Sequence, residues 1–189
     1  MKGRIKVRIV GIVGNLRKAS YNRLLLHACV ALAPPGMTLE EAHLAGIPLF
    51  NEDDQPQGEP AAVVHLKAAI ANADGLLIFT PEYNAGMPGV LKNTLDWLSA
   101  PPGVLEAKPA GIMGASLGLF GTVRAQAQLR STLEHCAAPV MPSPQVFLGL
   151  AHDKFDAQGR LSDEKTRAFV GQYLEAFAVW VARNRAGPA

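Results

Sequence analysis

Short apolar runs alternate with amphipathic stretches along the whole chain. Ile5 to Val13 is β-branched and uncharged toward its end, with Gly11 and Gly14 bracketing the exit, and reads as a strand. A helix is predicted from about Tyr21 to Ala33, with Leu25, Cys29 and Leu32 on one face and Pro34-Pro35-Gly36 as the stop. Met37 to Leu44 is a weaker strand, and a polar loop from Ile47 through Asp54 to Pro60 leads to a helix over Ala61–Asn72. Leu76 to Phe79 carries no charge and runs straight into Thr80-Pro81, the pattern of a strand buried on both faces that ends at a loop. A helix over Pro88–Ser99 puts Leu91, Leu95 and Leu98 on one face, and Pro101-Pro102-Gly103 breaks it. Ala110 to Ala115 is the fourth strand and Val123 to His135 the fourth helix. Val140 to Leu150 is interrupted by Pro142 and Pro144, which predicts an edge or irregular strand. The last helix runs from Ser162 to about Arg183, with Phe169, Tyr173, Phe177 and Trp180 as its stripe.

Strands alternating with helices predict an α/β protein, a parallel sheet with helices on both faces. Five strands in this length suit a doubly wound sheet of order 2-1-3-4-5 better than a six-stranded dinucleotide fold. Ligands of such sheets bind where the strand order reverses, at the carboxyl ends of strands one and three. That brings Asn15–Asn22 beside Pro81–Asn84, with Ser116–Gly121 next along the rim.

Composition narrows the partners. With 189 residues, 49% of them hydrophobic and 18% charged, the chain is expected to form one folded domain over residues 1–189. A net charge of +2 predicts neither a nucleic-acid surface nor a membrane patch. The basic run Lys2-Gly3-Arg4-Ile5-Lys6-Val7-Arg8 alternates into a strand and reads as a solvated edge. No apolar span is long enough for membrane insertion and no secretory leader is visible. Cys29 and Cys136 read as small buried thiols, which predicts the cytoplasm. His27, His43, His65, His135 and His152 lack ligand spacing, so no metal is expected.

The loop after the first strand has neither G-x-G-x-x-G nor a Gly-Lys-Ser/Thr sequence, which leaves pyrophosphate cradling in those styles unsupported. Arg17, Ser20 and Asn22 stand at a helix N-terminus, a setting that suits one terminal phosphate. The same Ser20 and Asn22 also read as ordinary helix caps, and Arg17 as a solvated loop residue. Gly114-Ala-Ser116-Leu-Gly118 is small where backbone must approach something flat, or is simply a tight turn. The convergence of the three loops favours a planar, phosphate-bearing ligand.

Three strings then resemble a known family. They are Gly14-Asn-Leu-Arg17-Lys-Ala-Ser20-Tyr-Asn22, Thr80-Pro-Glu-Tyr-Asn84-Ala-Gly-Met-Pro-Gly89 with Leu-Lys-Asn93 and Asp96-Trp97, and Gly114-Ala-Ser116-Leu-Gly-Leu-Phe-Gly121-Thr-Val-Arg124-Ala-Gln126. From about Ile5 to Trp180 the chain resembles the NADPH-dependent FMN reductases, and among them the quinone and chromate reductases. The resemblance implies a flavodoxin-like fold, non-covalent FMN, NADPH or NADH as co-substrate, and a homodimer that pairs again into a homotetramer. It further implies that Arg17, Ser20 and Asn22 hold the phosphate. Pro81, Glu82, Tyr83 and Asn84 would lie along the ring, with Ser116 and Gly118 on its other side. Asn15 departs from the family's Gly-Ser-x-Arg string, and its amide is expected to donate to the phosphate in place of Ser.

The expected activity is hydride transfer from nicotinamide to FMN and then to a quinone-like, chromate, azo or nitro acceptor in a ping-pong cycle. The protein's share is to hold the ring and to place Ser116–Gly118 N–H groups where charge grows on reduction. That scheme needs no nucleophile–base pair, and none is visible. Glu82 is not expected to move protons, and Arg124 reads as a partner-subunit contact, a contact to the NADPH 2′-phosphate, or a solvated residue. Leu49 and Phe50 read as exposed residues able to cover a partner's site. Two other classes compete: a flavodoxin-like electron carrier, against which the slightly basic charge counts, and a regulatory protein that kept the fold without the cofactor.

Overall fold

The computed structural model describes residues 5–53 and 58–185. Lys2, Gly3 and Arg4 of the basic run and Asp54 of the polar loop lie outside them. Five strands, β1 (Val7–Val13), β2 (Met37–Ala42), β3 (Gly75–Phe79), β4 (Ala110–Ala115) and β5 (Val146–Leu148), form one parallel sheet of order β2-β1-β3-β4-β5. The helices are α1 (Tyr21–Leu32), α2 (Ala61–Ala71), α3 (Gly89–Ser99), α4 (Val123–His135) and α5 (Glu164–Asn184). The order and class are those expected from the alternation of patterns.

The period of two along each central strand divides the core. Ile9 and Val13, Leu77 and Phe79, and Met113 and Ala115 face α1 and α5, where they meet Leu25, Cys29, Tyr173 and Phe177. Val10 and Ile12, Leu76 and Ile78, and Ala110 and Ile112 face the opposite side, against Leu66, Ile70, Leu91, Leu95 and Leu129. Both faces of β3 are therefore covered, and all five of its residues are buried, which is why its sequence lacks the polar alternation of a half-exposed strand.

Several boundaries and faces differ from the sequence-based expectations. β1 is an inner strand, as the expected order placed it, and in the basic run that leads into it Lys6 and Arg8 reach solvent. β2 stops at Ala42. β5 keeps three residues, as the prolines upstream of it suggested. On α5, Phe169 is 41% exposed and the buried line is Val170, Tyr173, Leu174, Phe177 and Val181. The stripe drifts because each step of four residues overshoots a 3.6-residue turn by about 40°. Phe50 is not outward-facing: it packs edge-on against Trp97, with ring centroids 5.0 Å apart. Its N–H donates to Asn93 Oδ1 at 2.8 Å. Leu49 beside it is 83% exposed.

Gly111 in β4 is set by packing. A Cβ there would lie 2.7 Å from Tyr173 Oη and 2.8 Å from Phe177 Cε2, both rings locked in the core. Gly111→Ala is expected to cost about 1–3 kcal/mol of stability by overpacking, measured by urea unfolding; a loss below about 0.5 kcal/mol contradicts this account of how α5 seats on the sheet.

Candidate active site

The carboxyl ends of β1, β3 and β4 open onto a cleft of about 370 Å³, within the range of small-ligand sites. Asn15, Arg17, Ser20, Asn22, Pro81, Glu82, Tyr83, Ser116 and Gly118 line it. Asn84 does not. It sits at the exposed tip of a turn in which Tyr83 and Gly86 exchange both backbone hydrogen bonds at 3.0 Å. Asn84 and Ala85 take φ of 49° and 61°, the double left-handed geometry of a tight hairpin turn. Asn suits that region, whereas Ala is strained there.

The first loop is braced from within. Asn15 is 4% exposed. Its amide donates to Ser20 Oγ at 2.8 Å and its Oδ1 accepts the Arg17 N–H at 2.9 Å. The Asn15 amide thus braces the loop from within. Arg23 adds a second brace, donating from Nε to Glu41 at 2.9 Å and from Nη1 to Arg17 O at 3.2 Å.

Ser20 occupies the N-cap position of α1 in extended backbone, yet its side chain caps no helix N–H. Asn22 does not cap either, because both ends of its amide bond Ala115 of β4 at 2.9 Å. Intrahelical donors begin at Arg23, which bonds Ser20 O. The N–H groups of Ser20, Tyr21 and Asn22 consequently have no acceptor among the described residues. Uncapped first-turn N–H groups with a nearby guanidinium make an anion site. The capping reading is corrected on this point.

Glu82 lines the cleft, while its side chain is turned to another task. Its side chain is only 6% exposed and forms an ion pair with Arg124. Oε2 accepts the backbone N–H groups of Arg124 at 2.9 Å and Ala125 at 3.1 Å, and Oε1 accepts Arg124 Nε at 2.6 Å. Glu82 is therefore the cap of α4, supplied from another loop. Burial works to raise its pKa, but the Arg124 side chain and the two backbone donors outweigh burial and hold it below the ordinary carboxylate value. Gln128 of α4 returns the contact by accepting the Met87 N–H at 2.9 Å. The second loop and α4 are laced together, and Arg124 is occupied within its own chain.

The third loop lies on the end of β5. Ser116 N–H bonds Leu148 O at 2.9 Å, Leu150 N–H bonds Gly118 O at 3.1 Å and Ala151 N–H bonds Ser116 O at 3.0 Å. Ser116 Oγ donates to Gly121 O at 2.6 Å. That leaves the Leu117 and Gly118 N–H groups, and not that of Ser116, without an acceptor among the described residues. Around the mouth stand Leu16, Tyr83, Leu117, Leu119 and Phe120, between 45% and 74% exposed. Tyr21, Leu117 and Phe120 line the cleft and were missed in the sequence. The legible signal was a pair of bulky apolar residues in a glycine loop that has no core to fill.

No cluster of three or more His, Cys, Asp or Glu able to hold a metal occurs among the described residues. No helix among them is long and apolar enough to cross a membrane.

Residues 7–153 match the family model described as NADPH-dependent FMN reductase. The chain belongs to that family. It is 48% identical over 180 residues to an NAD(P)H-dependent FMN reductase of Pseudomonas aeruginosa, covering 95% of this chain and 97% of that one. It is 39% identical over 181 residues to a 2-hydroxy-1,4-benzoquinone reductase of a Burkholderia species, with 95% and 98% covered. The fold superposes on the flavoenzyme NAD(P)H:(acceptor) oxidoreductase FerB of Paracoccus denitrificans with a TM-score of 0.88 at 32% identity, covering 95% of this chain and 100% of that one. The family assignment agrees with the motif-based reading of a flavin- and nicotinamide-dependent oxidoreductase. It stands against the readings as an electron carrier or a cofactor-free regulator.

The Glu82 latch predicts a pH signature. A carboxylate held low in the folded state adds stability that is complete above the unfolded pKa of about 4.3 and is lost as the pH falls through the lowered folded value. The stability gap between wild type and Glu82→Gln, measured by thermal unfolding, is expected to be widest near neutrality and to narrow in acid. A gap that stays constant or widens in acid would show that the Arg124 pair contributes nothing.

Proposed function

We propose that this chain binds FMN in the cleft, works on it with NADPH or NADH, and reduces quinone-like acceptors. The observation that carries the reading is the uncapped start of α1 opening into the same cleft as the free Leu117 and Gly118 N–H groups. In that pose Ser20 Oγ and the N–H groups of Ser20, Tyr21 and Asn22 bind the phosphate, and Arg17 adds positive charge. Pro81 and Tyr83 flank the ring, and Leu117, Tyr83 and Phe120 keep water from its edges. The Leu117 and Gly118 N–H groups would donate to the ring edge where negative charge develops, from a loop already braced by its bonds to β5. The chemistry supplied by the bound flavin is hydride transfer at N5, from the nicotinamide and then to the acceptor, in a ping-pong cycle.

Quinones are favoured as acceptors because the mouth is apolar, and two kinds of relative carry a quinone in their names. Chromate, azo and nitro compounds share the electron demand and form the wider acceptor set. The apolar mouth also favours a homodimer, pairing further into a homotetramer, since exposed patches of this kind commonly mark subunit contacts. The chain works as a single flavin-binding domain. Cys29 and Cys136 are free, and burial raises the pKa of both thiols, which suits the cytoplasm.

Protein saturated with FMN and mixed with NADPH without oxygen is expected to bleach in the flavin band and to recover colour on addition of a benzoquinone. Retained colour after NADPH means an electron carrier, and failure to take up FMN means a cofactor-free role. Ser20→Ala is expected to raise the FMN dissociation constant by roughly tenfold or more, the loss of a bond worth about 1.5–3 kcal/mol, while leaving riboflavin binding unchanged.

A further inference from the structure

We propose that the Asn22 side chain is a positioning group that completes the β3–β4 ladder from a helix, holding the ring-side loop rather than the phosphate. The inference rests on the FMN reading above and assigns Asn22 a role different from the one the motif resemblance implied.

Pairing of β3 with β4 ends at Phe79↔Met113, and the last backbone bond of the pair is Thr80 N–H to Met113 O at 2.9 Å. The next rung would need an N–H two residues further along to meet Ala115, but the chain turns away at Pro81. Ala115 would be left at the end of β4 with a buried N–H and a buried C=O, a pair too costly to leave unmade. Asn22 fills both. Its Oδ1 accepts the Ala115 N–H at 2.9 Å and its Nδ2 donates to Ala115 O at 2.9 Å, the two-bond pattern of a peptide group.

Asn22 is 2% exposed, and both its Oδ1 and its Nδ2 are engaged by Ala115. Its backbone N–H stays free at the first turn of α1, while its side chain fixes the residue that immediately precedes Ser116. One residue therefore ties the phosphate end of the cleft to the ring end. The third loop is gripped from the other side by β5, through Leu148 O and the N–H groups of Leu150 and Ala151. Between these two grips, the Leu117 and Gly118 N–H groups have no acceptor among the described residues.

The two roles for Asn22 are separable with flavins that differ only in the phosphate. Dissociation constants of FMN and riboflavin are measured by flavin fluorescence for wild type and Asn22→Ala, and amide hydrogen exchange is followed in the flavin-free protein. The expected result is that Asn22→Ala weakens both flavins about tenfold or more, with their affinity ratio within twofold of wild type. The Ala115 amide is expected to be protected in wild type and to lose protection in the variant, with Gly111 to Met113 unchanged. Weakening of FMN alone would make Asn22 a phosphate ligand and overturn the proposal, as would unchanged affinity for both. If Asn22→Ala fails to fold, Asn22→Leu, which keeps roughly the shape, loses both the donor and the acceptor and adds no charge, is read the same way. A fast-exchanging Ala115 amide in the wild-type protein overturns the latch without any variant. Failure of the wild-type protein to take up either flavin would instead defeat the functional reading, and a protected Ala115 would then still support the latch.

Discussion

β3 leaves the sheet at Thr80-Pro81 one rung before β4 ends, and most of the site follows from how that loss is met. Ladders in sheet interiors are rarely left open, because a buried donor or acceptor without a partner costs about 1–3 kcal/mol. Here the chain leaves β3 at Thr80-Pro81, and the vacated rung on β4 is filled by the Asn22 amide from α1. The break makes the crevice and the repair keeps it from collapsing. The strand order reverses at this point of a doubly wound sheet, so the crevice also lies where the helix dipole of α1 opens.

The polar groups around the cleft divide into two sets. Asn15, Asn22, Glu82, Ser116 and Gln128 spend their side chains on other parts of the protein. The groups left unpaired are mostly backbone N–H donors, at the start of α1 and in the third loop. A site of fixed donors needs no reorganisation when charge appears on a ligand, which is the electrostatic requirement of flavin reduction. Backbone strain accompanies this rigidity. Ala85 in the second loop and Leu150 beside the third both adopt the left-handed region, conformations that persist only where surrounding bonds enforce them.

Much of the architecture was legible in the sequence, since a strand covered on both faces and an amphipathic helix leave distinct periodic traces. The uncharged run Leu76–Phe79, the glycine and proline stops, and the three loops at one rim all carried that information. Side-chain interactions between distant parts of the chain were not legible. Nothing adjacent in sequence shows that Glu82 will cap a helix beginning more than 40 residues later, or that Asn22 will bond a strand 93 positions away. For the same reason Asn84, next to the cleft in sequence, turns out of it, and Ser116 gives its N–H to Leu148 of β5.

The central claim is that the three loops form a rigid cradle for one phosphorylated flavin before the ligand arrives. Crystal structures of the protein without and with FMN test it most directly. The account predicts the phosphate against the first-turn N–H groups of α1, the ring edge against the Leu117 and Gly118 N–H groups, and Asn22 still bonded to Ala115 in both states. A flavin seated elsewhere, or a cradle assembled only after Asn22 lets go of Ala115, would contradict it.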